Sequence, residues 1–86
     1  MLEILKTLTS LSGPCGYEHS VSYFLQEYLQ GKVDQVTIDP IGNVIARKKG
    51  DRPGPAVLLT AHMDEVGFIV KKIEANGLLR FEKLGG

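Results

Sequence analysis

The residues best suited to chemistry in this chain are His62 and Asp64, separated by Met63. They follow an unbroken apolar stretch, Ala-Val-Leu-Leu-Thr-Ala (56–61). If that stretch is a strand, positions i and i+2 project to the same face, so an imidazole and a carboxylate leave its carboxyl end together. Open α/β sheets place their ligands at that edge. A neutral imidazole is a common metal ligand, and a nearby carboxylate fixes its tautomer and raises its basicity. The pair therefore suits one metal ligand, His62, oriented by Asp64. It equally suits a strand-end histidine held by an aspartate for structural reasons, since His-x-Asp is short and common.

The rest of the inventory limits the site. A catalytic zinc takes three protein ligands and keeps one open position. The chain has two histidines and one cysteine. His19 and Cys15 are the other soft donors, and nothing in the sequence pattern brings them to His62. Glu65 adjoins Asp64 and, in a continuing strand, points to the opposite face, which favours a structural role. Cys15 sits near a helix start, where a thiol is acidified, but no oxyanion-hole motif or orienting group accompanies it. A small residue in a tight turn is the better reading. Ser10 and Ser12 lack a nucleophile elbow. No dinucleotide fingerprint or phosphate loop is present.

The elements that must position the pair can be read along the chain. Residues 2–11 carry apolar side chains at helical spacing and predict a short amphipathic helix. Gly13-Pro14-Cys15-Gly16 predicts a turn. A second helix is expected over 17–30, with Val21, Phe24, Leu25, Tyr28 and Leu29 as its buried stripe. Glu18 would lie in its first turn, favoured by the helix dipole, and Gly31 would close it. From Val33 the pattern becomes β-branched and predicts a hairpin through Asp39-Pro40-Ile41-Gly42-Asn43 into Val44-Ile45-Ala46. Arg47-Lys48-Lys49 reads as a solvated strand end, followed by a polar loop to Pro55. The apolar run 56–61 predicts a strand covered on both faces, as at the centre of an α/β sheet. A further strand is expected over 66–73. Asn76-Gly77 is a strong hairpin signal, with a return strand over 78–83.

Composition bounds the function class. The chain has 86 residues, 43% hydrophobic and 23% charged, which is globular composition. Ten basic residues balance ten acidic ones, so no net field draws nucleic acid or an anionic membrane. A single cysteine allows no internal disulfide and suits a reducing compartment, and a cytoplasmic location is expected. No apolar run approaches the roughly 20 residues of a membrane span, and the first residues lack the basic start of a secretory signal.

Four blocks in order carry a resemblance: Leu-Ser-Gly-Pro-Cys-Gly-Tyr-Glu (11–18), Asp-Pro-Ile-Gly-Asn-Val-Ile-Ala (39–46), Ala-His-Met-Asp-Glu-Val-Gly-Phe-Ile-Val (61–70), and Gly-Leu-Leu-Arg-Phe (77–81) with Leu-Gly-Gly (84–86). Together they resemble the start of the M42 metallo-aminopeptidases, the glutamyl, deblocking and tetrahedral aminopeptidase group, some of whose relatives are labelled endoglucanases. The resemblance runs from Leu2 to Gly86.

It implies an α/β fold: the N-terminal part of a di-metal catalytic domain (1–65), then the first hairpin of an inserted, PDZ-like β domain that supports assembly (66–86). It implies that His62 binds one of two divalent ions, zinc or cobalt, that Asp64 is the catalytic-support carboxylate, and that the substrate is a peptide. A homo-oligomer is implied for the complete enzyme. The family's remaining ligands and general base lie beyond the position matching Gly86, so no hydrolysis is expected from these 86 residues alone. Two alternatives stand beside this reading. One is a non-catalytic short protein that associates with a full-length relative. The other is a segment of an M20- or M28-type metallohydrolase.

Overall fold

The computed structural model describes residues 1–86. Two helices are followed by two antiparallel hairpins: α1 (Leu2–Ser10), α2 (His19–Leu29), β1 (Gln35–Ile38), β2 (Val44–Arg47), β3 (Gly67–Ile73) and β4 (Leu79–Leu84). This is a small α/β arrangement with two separate two-stranded sheets, β1-β2 and β3-β4.

Helix α1 ends one residue short of the expected span. Its last turn is rich in hydroxyls: Thr9 Oγ1 donates to the Leu5 carbonyl at 2.8 Å and Ser10 Oγ to that of Thr7 at 2.8 Å. Such bonds compete with the backbone ladder, and Leu11 is already extended. Helix α2 starts two residues later than expected. The Tyr17 amide closes a turn onto the Pro14 carbonyl at 2.8 Å. Glu18 caps the helix instead of lying in its first turn. Its carboxylate reaches back to the Gly16 amide at 2.7 Å. At the far end Gly31 adopts φ +76°, the left-handed geometry that a closing glycine supplies.

The β1-β2 hairpin pairs Gln35 with Arg47 and Ile38 with Val44. Its turn is organised by Asp39, whose carboxylate accepts from the amides of Ile41 (3.1 Å) and Asn43 (2.8 Å) and from Asn43 Nδ2 (2.8 Å). The Asn43 side chain, with the backbone amides, holds the Asp39 carboxyl below its ordinary 3.8, against an opposing effect of desolvation. The β3-β4 hairpin turns at Asn76-Gly77 as expected, with Asn76 Oδ1 accepting from the Leu78 amide at 3.1 Å. A register shift lies between Val70 and Lys72. On the Gly67–Leu84 side of it, Phe68 and Phe81 meet edge to face, with ring centroids 4.7 Å apart.

Two expectations are corrected. Of the α2 stripe only Val21 is buried, Phe24, Leu25 and Leu29 are half-buried and Tyr28 is exposed, because little of the chain packs over this helix. Residues 56–61 form no strand and are not covered on either face. Val57, Leu58 and Leu59 are 81%, 86% and 90% exposed. A central strand needs hydrogen-bonded neighbours on both sides, and neither two-stranded hairpin pairs an edge with this run. The buried residues are Gly13, Val21 and Ser22. They lie where the α1–α2 turn meets α2. The chain exposes 7579 Å², against about 5,000 Å² for a compact chain of this mass. Its radius of gyration is 17.5 Å, against about 12 Å for a compact domain. Much of the apolar surface thus faces outward.

Candidate metal-ligand site at the 62–65 segment

His62 and Asp64 do come together, although not as alternate residues of a strand. The segment carrying them is irregular. His62 Nδ1 lies 3.0 Å from Asp64 Oδ1 and 3.1 Å from the Asp64 carbonyl oxygen. A carbonyl oxygen can only accept, so Nδ1 carries the proton and donates to Asp64. In neutral imidazole that leaves Nε2 as a lone pair. The ring itself is exposed. The donor set therefore fits one position in a metal's coordination shell, with its tautomer fixed by the neighbouring carboxylate and carbonyl.

It fits no more than one. No three His, Cys, Asp or Glu side chains converge anywhere in the chain. Cys15 is exposed in its turn. His19 faces Tyr23 along α2, with ring centroids 6.4 Å apart.

Glu65 is the residue whose place the sequence left least defined. Its amide donates to the Gly13 carbonyl at 2.9 Å, and its Oε1 accepts from the Gly13 amide at 3.2 Å. Pro14 and Glu65 form a parallel bridge. Two glycines permit this approach. A Cβ on Gly13 would stand 2.8 Å from Val21 Cγ2, and one on Gly67 would stand 2.9 Å from Pro14 Cβ. Neither glycine serves a left-handed turn. The available sequence signal was two glycines with no hairpin to close. Behind the bridge lies an apolar groove of about 470 Å³, bordered by Leu8, Leu25, Leu29, Val44 and Met63, with His62 at its rim.

Comparison with known proteins identifies the family. The sequence profile of the M42 glutamyl aminopeptidase family matches residues 42–86, more than half of the chain and all of the site segment. The chain belongs to the M42 peptidase family. It is 38% identical to a putative aminopeptidase of Acetivibrio thermocellus over 86 residues, covering 100% of this chain and 26% of that protein. Among solved structures it resembles an aminopeptidase from the archaeon Desulfurococcus kamchatkensis, with TM-score 0.88 and 39% identity over 98% of this chain and 23% of that one. It also resembles a Thermotoga maritima protein named as an endoglucanase, with TM-score 0.84 and 43% identity over 95% of this chain and 26% of that one.

The chain thus spans about a quarter of the length of the relatives it matches. The Acetivibrio and Desulfurococcus relatives are named as aminopeptidases, the former as putative, and the chain's two helices and antiparallel strands are similar to the N-terminal part of the Desulfurococcus protein. M42 membership replaces the M20/M28 alternative. No helix is long and apolar enough to cross a membrane.

Proposed function

We propose that these 86 residues serve as the N-terminal segment of a two-metal M42 aminopeptidase that removes N-terminal residues from peptides. The supporting observation is the His62–Asp64 pair, with Nδ1 committed to Asp64 and Nε2 left as a lone pair on an exposed ring. In this reading His62 ligates one of two divalent ions, zinc or cobalt by the chemistry of a mixed imidazole and carboxylate site. When bound, such ions polarise a scissile carbonyl and acidify water.

This chain's own contribution is to hold the ligand nitrogen deprotonated and aimed. Asp64 keeps the proton on Nδ1 and fixes the ring's rotation. Residues 1–65 belong to the catalytic domain, and β3-β4 opens an inserted β domain that supports homo-oligomer assembly. The enzyme acts in the cytoplasm, and neither nucleic acid nor membrane is a partner. The remaining ligands and the general base come from outside these residues, so the 86-residue chain alone does not hydrolyse peptides.

The test is a hybrid in which this chain replaces the aligned segment of the Acetivibrio thermocellus relative. Peptide hydrolysis that a chelator abolishes, and that His62→Ala also abolishes, is the expected result. Chelator-sensitive hydrolysis that survives His62→Ala overturns the assignment. The exposed run at Val57, Leu58 and Leu59 also favours a second reading, a non-catalytic chain that associates with a full-length relative. Co-elution with such a relative supports it, and separate elution rejects it.

A further inference from the structure

We infer that Glu65 is a positioning residue for His62, acting through the peptide group that joins Asp64 to Glu65; the inference rests on His62 being the ligand. That one peptide group is held at both ends. Its carbonyl, on Asp64, accepts from His62 Nδ1 at 3.1 Å. Its N–H, on Glu65, donates to the Gly13 carbonyl at 2.9 Å. A peptide group is planar and rigid, so fixing its N–H fixes the direction of its carbonyl. The Glu65 side chain completes the arrangement by accepting from the Gly13 amide at 3.2 Å. Residues 13 and 65 therefore exchange two hydrogen bonds across 52 positions of sequence.

The anchor at the other side is firm. Gly13 is one of the buried residues, packed so closely on Val21 that no Cβ fits. Pro14, next to it, lies over Gly67 at a distance that likewise leaves no room for a Cβ. The irregular 62–65 segment has no sheet ladder to orient it. The exchange with Gly13 takes that role. Orientation then passes from the α1–α2 turn through Gly13, Glu65 and the Asp64 carbonyl to the imidazole. Reach, and not charge, is what the Glu65 side chain supplies, because its partner is a neutral backbone amide.

The experiment reads the tautomer of His62 by long-range nitrogen–proton correlation in the full 86-residue chain, without metal, at a pH where imidazole is neutral. His19, which faces Tyr23 instead of a hydrogen-bonding carboxylate, is the internal reference. The wild-type chain is expected to show His62 protonated at Nδ1 in excess of His19. Glu65→Gln keeps the reach and loses the charge, and should retain that excess. Glu65→Asp keeps the charge and loses the reach, and should move His62 toward the His19 ratio, as should Glu65→Ala.

A wild-type excess that persists in both Glu65→Asp and Glu65→Ala overturns the positioning role while leaving the ligand reading intact. The opposite pattern, loss in Glu65→Gln and retention in Glu65→Asp, overturns it too. A wild-type His62 without the excess removes the orientation on which both readings rest. A residue that contributed only to stability would change the melting temperature without changing this ratio in the folded population.

Discussion

Replacing Gly13 by alanine should loosen the contact between the α1–α2 turn and α2. The added Cβ would stand 2.8 Å from Val21 Cγ2 and 3.6 Å from the Met63 carbonyl oxygen. Reaching ordinary contact at 3.4 Å requires the turn and α2 to part by about 0.6 Å. A shift of that size threatens the 3.2 Å bond from the Gly13 amide to Glu65, unless the whole 62–65 segment follows. Overpacking of this kind costs about 1–3 kcal/mol. The alanine also stiffens the unfolded chain, which returns about 0.4–1 kcal/mol.

The net is a loss of roughly 0.5–2 kcal/mol. At roughly 4–8 °C per kcal/mol for a chain of this size, melting should fall by about 2–16 °C. The assay is thermal unfolding followed by far-ultraviolet circular dichroism, with exchange of the Glu65 amide as the local readout. Gly54→Ala is the control, because Gly54 has open space and no left-handed backbone. It should match or slightly exceed the wild-type midpoint. A Gly13→Ala chain that melts with the Gly54→Ala control would refute the close-packing account of the turn.

Two further predictions concern the hairpins. Gly77 has φ +88° with nothing within 4 Å of a built Cβ, so Gly77→Ala should cost about 1–2 kcal/mol through backbone strain alone. Gly77→Asn should recover part of that loss in the same melting assay, since asparagine tolerates the left-handed region. Asp39 gives a pH dependence. Its carboxyl is held below 3.8, so its contribution to the β1-β2 turn is complete above that pH and is lost as pH falls through the depressed value. Amide shifts of Ile41 and Asn43 should therefore move at a pH below 3.8, and Asp39→Asn should remove that transition.

How much was legible in the sequence follows the range of the forces involved. Local signals survived translation into structure. Asn76-Gly77 closed the β3-β4 hairpin, Asp39 to Asn43 closed the β1-β2 hairpin, and Gly31 ended α2. The start of α2 shifted because Pro14 and Tyr17 made a turn and Glu18 reached back to Gly16. Periodicity does not encode that competition.

The apolar residues of 56–61 predict a central strand, but a strand is a relation between segments. Apolarity at 57–59 records a demand for cover without naming its source. The i, i+2 pattern brings His62 and Asp64 together on a shared strand face, whereas the ring meets Asp64 through an irregular segment. Glu65 was read as structural from its alternation with Asp64. Its partner Gly13, 52 residues away, is a contact that no local pattern announces.

The proposed function stands or falls on His62 supplying a ligand to a two-metal centre. The most direct measurement is the metal content of the Acetivibrio thermocellus hybrid carrying these 86 residues, with and without His62→Ala, after dialysis against a fixed free zinc concentration. Two equivalents per chain are expected for the unsubstituted hybrid and a clear loss of bound zinc in the variant, with the fold retained by circular dichroism. Equal zinc content in both, held against the same competing chelator, would contradict it.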